Sequence, residues 1–207
     1  MPDERPRYHH GDLRAALLDA TLALLAEAGG PDEVSLRAVA RRVGVSPNAA
    51  YRHFADKRAL LAAVAAAGFR EVGAAFRVAA EADGTAEAAV ARGLAAYLGF
   101  AAARPALYGL MFGRGGAELG RLPELKREAD ACLDAASALV ARLAGGDAGR
   151  DGRPGPTVRE RTVAFWALAH GYASLRRDLQ FADLPAGDVP DERALLRILL
   201  GGLSAGG

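Results

Sequence analysis

Apolar residues recur along this chain at steps of three and four, not in alternation, and the pattern predicts helices throughout. Leu13, Leu17, Ala20 and Leu24 mark one face of a first helix that starts after Asp12 and that Gly29-Gly30-Pro31 ends. Ser35 caps a second helix with the apolar face Leu36, Val39, Ala40 and Val43, closed by Gly44. Ser46-Pro47 joins a favoured N-cap to the residue favoured at the first helical position, which predicts a short third helix to about Phe54. Asp56 then caps a long fourth helix through roughly Ala80.

The punctuation stays helical further on. Asp83-Gly84-Thr85 precedes a helix reaching about Ala103, and Pro105 a short one reaching Phe112. Gly113 to Pro123 is expected to be a Gly-rich loop, residues 124–144 another amphipathic helix, and 145–156, rich in Gly and Pro, a mobile connection. Two helices complete the chain, at about 157–181 and 191–204, joined by a loop containing Pro185 and Pro190. Strand signals are nearly absent, and Ala, Leu, Arg and Glu, strong helix formers, dominate. The expected fold is all-α with about nine helices, and no fixed-period repeat suggests a solenoid.

Composition narrows the function classes. With 51% hydrophobic and 25% charged residues in 207, the chain is a folded one of one or two domains. Its longest apolar run, the eleven residues from Ala59 to Phe69, is shorter than the ~18–20 a membrane span needs. The first ten residues lack the apolar stretch of a secretory signal, so a cytoplasmic location is expected. One cysteine, Cys132, and four histidines exclude a disulfide scaffold and a Cys/His zinc module; His9, His10 and Asp12 lack a further ligand at metal-binding spacing. Asp130 and Asp134 lie four apart as ordinary surface carboxylates, and no nucleophile motif, phosphate-binding loop or dinucleotide fingerprint occurs. Neither catalysis nor a cofactor is expected.

A net charge of +1 hides an uneven distribution. Residues 1–33 carry −4, residues 61–207 balance, and residues 34–60 hold Arg37, Arg41, Arg42, Arg52, Lys57 and Arg58 against Asp56 alone, or +5. A compact basic segment in a neutral chain is the footprint of a polyanion contact. Because 24 of the 26 basic residues are arginine, a solvated Arg-rich helix face is the competing reading.

That segment also reads as helix, tight turn, helix from Val34 to Phe54. Ala40 sits where crossing helices meet, Gly44 permits a left-handed turn, and Val45 plugs the gap between helices. The third helix would then present Asn48, Ala49, Tyr51, Arg52 and His53 outward. Asn48, in its first turn, has the two-donor, two-acceptor amide that pairs with adenine, while an exposed helix-start residue is its plainer role. Arg5 and Arg7 have the chemistry of a minor-groove arm, but a frayed terminus is the simpler expectation.

Ser35-Leu-Arg-x-Val-Ala-x-x-x-Gly-Val-Ser46, Tyr51-Arg-His-Phe-x-Asp-Lys57 and Leu60-Leu61, preceded by His9-His10-Gly-Asp-Leu-Arg14, resemble the TetR/AcrR family of bacterial transcriptional regulators over about 55 residues. Phe165-Trp166-Ala-Leu-Ala-His170-Gly171 resembles the Trp-x-x-x-His-Gly helix of one subclass of its regulatory domain. Arg58 departs from the family, where an acidic residue is common. The resemblance implies a helix-turn-helix DNA-binding domain over 1–57 and a helical effector-binding and dimerisation domain over 58–207. It implies a third helix in the major groove, with Tyr51 and Lys57 on phosphates. The DNA-contact set is then Ser35, Arg37, Ser46, Asn48, Ala49, Tyr51, Arg52, His53 and Lys57. For Tyr51, packing of the ring on the three-helix core is the competing role.

In the regulatory half, Ala164, Leu168, Gly171 and Leu175 line one helix face, and the last helix adds Leu195, Ile198, Leu199 and Gly202; the resemblance implies that this pair forms half of a four-helix homodimer interface. Burial inside a monomer is the alternative. Trp166 and His170 are expected to point into the domain and, with Phe69, Phe76, Tyr97, Phe100, Tyr108, Met111 and Phe112, to line an effector pocket or simply the core. The function implied is a ligand-responsive regulator, a repressor binding a near-palindromic double-stranded DNA operator as a dimer and released by a small hydrophobic effector. An activator or effector-independent regulator of the same fold, or a small helical ligand-carrier or enzyme, are the alternatives.

Overall fold

A computed structural model of the chain describes residues 13–28, 30–113, 116–144, 157–185 and 187–204; the Arg5/Arg7 arm, His9, His10, Asp12 and the 145–156 connection lie outside these described residues. Within them all regular structure is helical and no strand occurs. In order the helices are α1 (Leu13–Ala28), α2 (Leu36–Val43), α3 (Pro47–Tyr51), α4 (Lys57–Glu81), α5 (Ala86–Ala103), α6 (Pro105–Phe112), α7 (Gly116–Leu119), α8 (Pro123–Ala141), α9 (Val158–Arg177) and α10 (Glu192–Ser204), with 3₁₀ turns at Pro31–Glu33 and Arg142–Ala144. The expected nine are all present; the extra one, α7, is a single turn inside the segment expected to be a Gly-rich loop.

Contacts group the chain into two compact units. The first comprises Met1–Gly68 and Ala106–Lys126, the second Phe69–Pro105 and Arg127–Gly207. In the first unit α1 packs on α2 and α2 on α3. Its core holds Leu17, Leu25, Val34, Val39, Ala40, Ala50, Phe54 and Leu60. Gly68 lets α6 approach α4 so closely that a methyl group there would overlap the Met111 thioether.

In the second unit α5 packs against α9 and α10, and α9 against α10. Phe76 stacks on Tyr97 with ring centres 6.3 Å apart and meets the edge of Phe165 at 5.8 Å. A side chain at Gly93 would collide with Leu139. The orphan carbonyls ending α4 are answered by two guanidinium groups from elsewhere in the chain. Arg142 donates Nη1 to Ala80 and Ala82 O and Nη2 to Gly84 O at 2.9 Å, while Arg92 Nη2 lies 3.3–3.4 Å from Ala79, Ala82 and Asp83 O. By length and composition α4 is the one described helix that could cross a membrane, and 61% of its apolar window is buried in the protein, as in a core helix. Alanine and valine repeated on all sides give it this composition, while Arg70 and Glu71 interrupt the apolar run.

α9 ends at Arg177, four residues before the expected 181. Gln180 N–H bonds Leu175 O at 3.0 Å and Leu179 N–H bonds Arg176 O at 3.3 Å, with Leu179 at φ 56. This is a Schellman ending with leucine, not glycine, at the left-handed position.

Candidate nucleic-acid interface

The turn between α2 and α3 is closed at both ends by its own residues. Ser35 Oγ accepts the Ala38 N–H at 3.1 Å, starting α2. Gly44, at φ 79 and ψ 27, stops it, with Val45 N–H bonded to Ala40 O at 2.9 Å and Gly44 N–H to Arg41 O at 3.2 Å. Two residues later Ser46 Oγ accepts the Ala49 N–H at 3.3 Å and Pro47 occupies the first helical position. Leu36, Val39 and Ala40 are buried on α2, and Val45 is half-buried beside them.

α3 is shorter than the sequence predicts, five residues ending at Tyr51. Phe54 N–H still bonds Ala50 O at 3.0 Å, so a final irregular turn carries the chain to Phe54. Ala50 and Phe54 are 0% and 4% exposed, and the Arg14 guanidinium sits 5.4 Å over the Phe54 ring. Anchoring these two turns the rest of α3 to solvent. Asn48, Tyr51, Arg52 and His53 are exposed and Ala49 is half-buried. Tyr51, at 48% exposure, is not a core group.

The basic groups differ in what already engages them. Arg37, Arg41, Arg52 and Arg58 are exposed. Arg42 forms a two-bond pair with Glu27, 2.7 Å on each arm, and the Arg42 hydrogen bond holds the Glu27 carboxyl below its ordinary value of 4.5. Glu27 therefore cancels one of the positive charges counted from the sequence, and sequence spacing gave no sign of this pair across 15 residues. Lys57 is half-buried and donates from Nζ to Asp32 O at 2.9 Å, tying the Pro31–Glu33 turn to the start of α4; an ammonium has three N–H donors, so this bond leaves capacity for an anion. Asp56 Oδ1 caps the same helix through the Ala59 N–H at 2.8 Å. Six cationic side chains, one of them paired with Glu27, and a phenol thus share the segment that carries α2, α3 and the first turn of α4.

The nine aromatic and sulfur-bearing pocket candidates fall in different surroundings. Tyr108, Met111 and Phe112 belong to the first unit, where the Tyr108 and Phe112 rings lie 4.9 Å apart. Phe69, Phe76, Tyr97, Phe100, Trp166 and His170 belong to the second. There Phe76, Tyr97 and Phe100 are buried and Phe69 half-buried. Tyr97 Oη and His170 Nδ1 are 3.1 Å apart, and Ser174 Oγ lies 3.4 Å from Nε2. Burial, helped by the Arg177 charge, lowers the His170 pKa.

Trp166 does not point inward as expected. It is 43% exposed, beside Val163 at 52%, because neighbouring Phe165 takes the inner position of α9 at 1%. The dimer candidates divide similarly. Ala164 and Leu175 are exposed, Leu168 and Gly171 half-buried, with open space around Gly171, and Ile198 is 58% exposed. Leu195 and Leu199 are buried within the unit, at 3% and 4%, leaving them no surface for a second chain. The surroundings of Gly202 lie outside the described residues. The sequence reading missed Val163, although its four-residue spacing to Ala167, Gly171 and Leu175 was visible.

Residues 17–64 match the family model of bacterial regulatory proteins of the tetR family, and residues 90–201 that of the tetracyclin repressor-like C-terminal domain. The fold is similar to that of a protein with unknown function from Rhodococcus sp. RHA1, at 32% identity over 97% of this chain and 100% of that one, with a TM-score of 0.77. It is also similar to a TetR/AcrR-family transcriptional regulator from Thermobifida fusca YX-ER1, at 22% identity, 93% and 98% coverage and a TM-score of 0.63. A further structure of like fold is the transcriptional regulator FadR from Bacillus subtilis in complex with stearoyl-CoA, at 17% identity, 93% and 98% coverage and a TM-score of 0.63. These last two, below 25% identity, speak for the fold alone. No curated protein matches the chain in sequence.

Proposed function

The chain belongs to the TetR family of bacterial regulatory proteins and is a DNA-binding transcriptional regulator, and from that premise we propose that it is a cytoplasmic repressor that binds a near-palindromic operator as a homodimer and leaves it when a small hydrophobic effector binds. The observation that carries this reading is the two-faced segment of α3 and the turn that follows it, anchored by Ala50 and Phe54 and presenting Asn48, Tyr51, Arg52 and His53 to solvent.

In this reading α3 enters the major groove. Asn48 reads an adenine edge with two hydrogen bonds, and Tyr51 and Lys57 hold phosphates, helped by Ser35, Arg37, Ser46, Arg52 and His53. The DNA-binding domain is 1–57 and the effector-binding and dimerisation domain 58–207. The apolar stripe of exposed Ala164, Leu175 and Ile198 with half-buried Leu168 and Gly171, widened by Val163 and Trp166, covers the same stripe of a second copy around a two-fold axis. The Trp166-x-x-x-His170-Gly171 segment supports a regulatory domain of the Trp-x-x-x-His-Gly subclass. The effector lies among the aromatic candidates of the second unit, Phe69, Phe76, Tyr97, Phe100 and His170, and shifts operator affinity only as far as it prefers the DNA-incompetent conformation.

Selecting bound sequences from a random duplex pool tests the core of the proposal. Two inverted half-sites about one helical turn or a multiple apart are expected. A single asymmetric half-site bound at full affinity contradicts the dimer, and no enrichment contradicts operator binding. A reporter that falls on deletion of the regulator makes it an activator.

A further inference from the structure

We infer that the connection between α9 and α10 forms a second small-molecule site, one that takes aromatic monocarboxylates. Tyr172, Arg176, Leu179, Phe181, Val189 and Pro190 line most of a cleft of about 450 Å³, within the size range of small-ligand sites. Two rings make its wall, with Tyr172 and Phe181 centred 5.6 Å apart at 45°. The Arg176 guanidinium stands 5.7 Å over the Tyr172 ring.

Arg176 supplies the anion-binding group of this cleft. Arg177, next in sequence, forms a two-armed pair with Asp178 at 2.7 and 3.2 Å, whereas Arg176 meets a π face and, among the described residues, no carboxylate. A guanidinium fork of this kind matches a carboxylate held in its plane, and the adjoining rings match a flat apolar body. Asp191 also lines the cleft; its Oδ1 accepts the Ala194 N–H at 2.7 Å as the cap of α10, which turns that oxygen toward the helix.

The cleft is formed before any ligand arrives. Tyr172 Oη donates to Pro190 O at 2.7 Å, pinning the far side of the connection to α9. Leu179 N–H bonds Arg176 O, Gln180 N–H bonds Leu175 O, and Ala182 N–H bonds Leu179 O at 3.0 Å, fixing the near side. A preformed site loses little conformational freedom on binding. This inference is independent of operator binding, and its test involves no DNA.

Isothermal titration of the full chain with 2-naphthoate and its uncharged isostere 2-naphthamide reads it directly. Naphthoate should saturate one site per chain with a Kd of about 1 mM or tighter, the affinity expected of thirteen non-hydrogen atoms. Arg176→Gln, on an exposed side chain, should weaken naphthoate about tenfold and leave the weaker naphthamide binding unchanged. Phe181→Ala should weaken both. Absence of saturation, or naphthoate binding within twofold of the parent in Arg176→Gln, overturns the site. So does an Arg176→Gln chain whose mass by light scattering changes while naphthoate binding does not, since the surface then serves self-association.

Discussion

Helices end in two ways in this molecule, and the contrast separates its N-terminal head from the rest. In the head, α2 stops at Gly44, which occupies the left-handed region at φ 79. The second unit ends α9 with the same pair of hydrogen bonds but puts Leu179 at φ 56 in that position, and it ends α4 with Arg142 and Arg92 brought from 62 and 13 residues away in sequence. Local chemistry closes α2 on a glycine, whereas in the second unit α9 closes locally on a strained leucine and α4 relies on tertiary contacts. A helix-turn-helix must hold one short helix in one orientation, and caps written into adjacent residues do that without outside help.

The largest expected effect sets two adjacent residues of α9 apart. Phe165→Ala should cost about 3–5 kcal/mol, roughly 6–20 °C in Tm, because its ring is buried edge-on against Phe76. Trp166→Ala should cost the protomer less than half of that but lower the dimer fraction measured by light scattering. If both substitutions destabilise the protomer equally, the outward placement of Trp166 is wrong.

Arg142→Ala comes next. It leaves α4 carbonyls without their guanidinium, at about 2–3 kcal/mol by chemical denaturation. A loss within about 0.5 kcal/mol would mean that water replaces the cap without cost.

The two Schellman ends should respond with opposite sign. Gly44→Leu forces a side chain into the left-handed region and should destabilise by about 1–2 kcal/mol, with open space at that point leaving strain as the cause. Leu179→Gly removes the same strain and, after the added freedom of the unfolded chain, should stabilise by about 0.5–1 kcal/mol. Equal signs would undo the comparison.

The smallest effect is on pH. Burial lowers the folded His170 pKa below 6.5, so the unfolded chain binds the proton first. The neutral ring's contribution is therefore complete above about pH 6.5, falls as pH drops through that value, and levels off once the folded ring protonates. Thermal melts should show a decline in Tm between pH 7 and 5.5 that His170→Gln abolishes. The Glu27 and Asp178 pairs, whose carboxyls are lowered by Arg42 and Arg177, act in a separate window at the acid end.

The head was largely legible in the sequence because its signals are adjacent to what they control. Ser35, Gly44, Ser46, Pro47 and Asp56 each sit where the structure uses them. The end of α3 was not legible, since no glycine or proline among residues 52–55 marks it. The end of α9 was missed because nothing in Asp178-Leu179-Gln180 resembles a glycine stop. Which apolar residues of α9 and α10 face inward was equally hidden. Phe165 and Trp166, or Ile198 and Leu199, are alike in a periodic pattern, and only packing partners distant in sequence, such as Phe76 of α4 against Phe165, assign them to opposite faces. The Glu27–Arg42 pair shows the same limit in the head, where charge counting overstated the basic segment by one.

The most direct measurement is a binding titration of the parent and Asn48→Ala against the selected operator and its single-base variants at several salt concentrations, with Lys57→Ala alongside. Asn48→Ala should lose about 1–3 kcal/mol on the operator and relax the preference at one base pair per half-site, keeping nonspecific binding. Lys57→Ala should weaken all duplexes alike and lower the salt slope by about one unit. An Asn48→Ala protein with an unchanged base-preference profile would contradict base reading by α3 at Asn48.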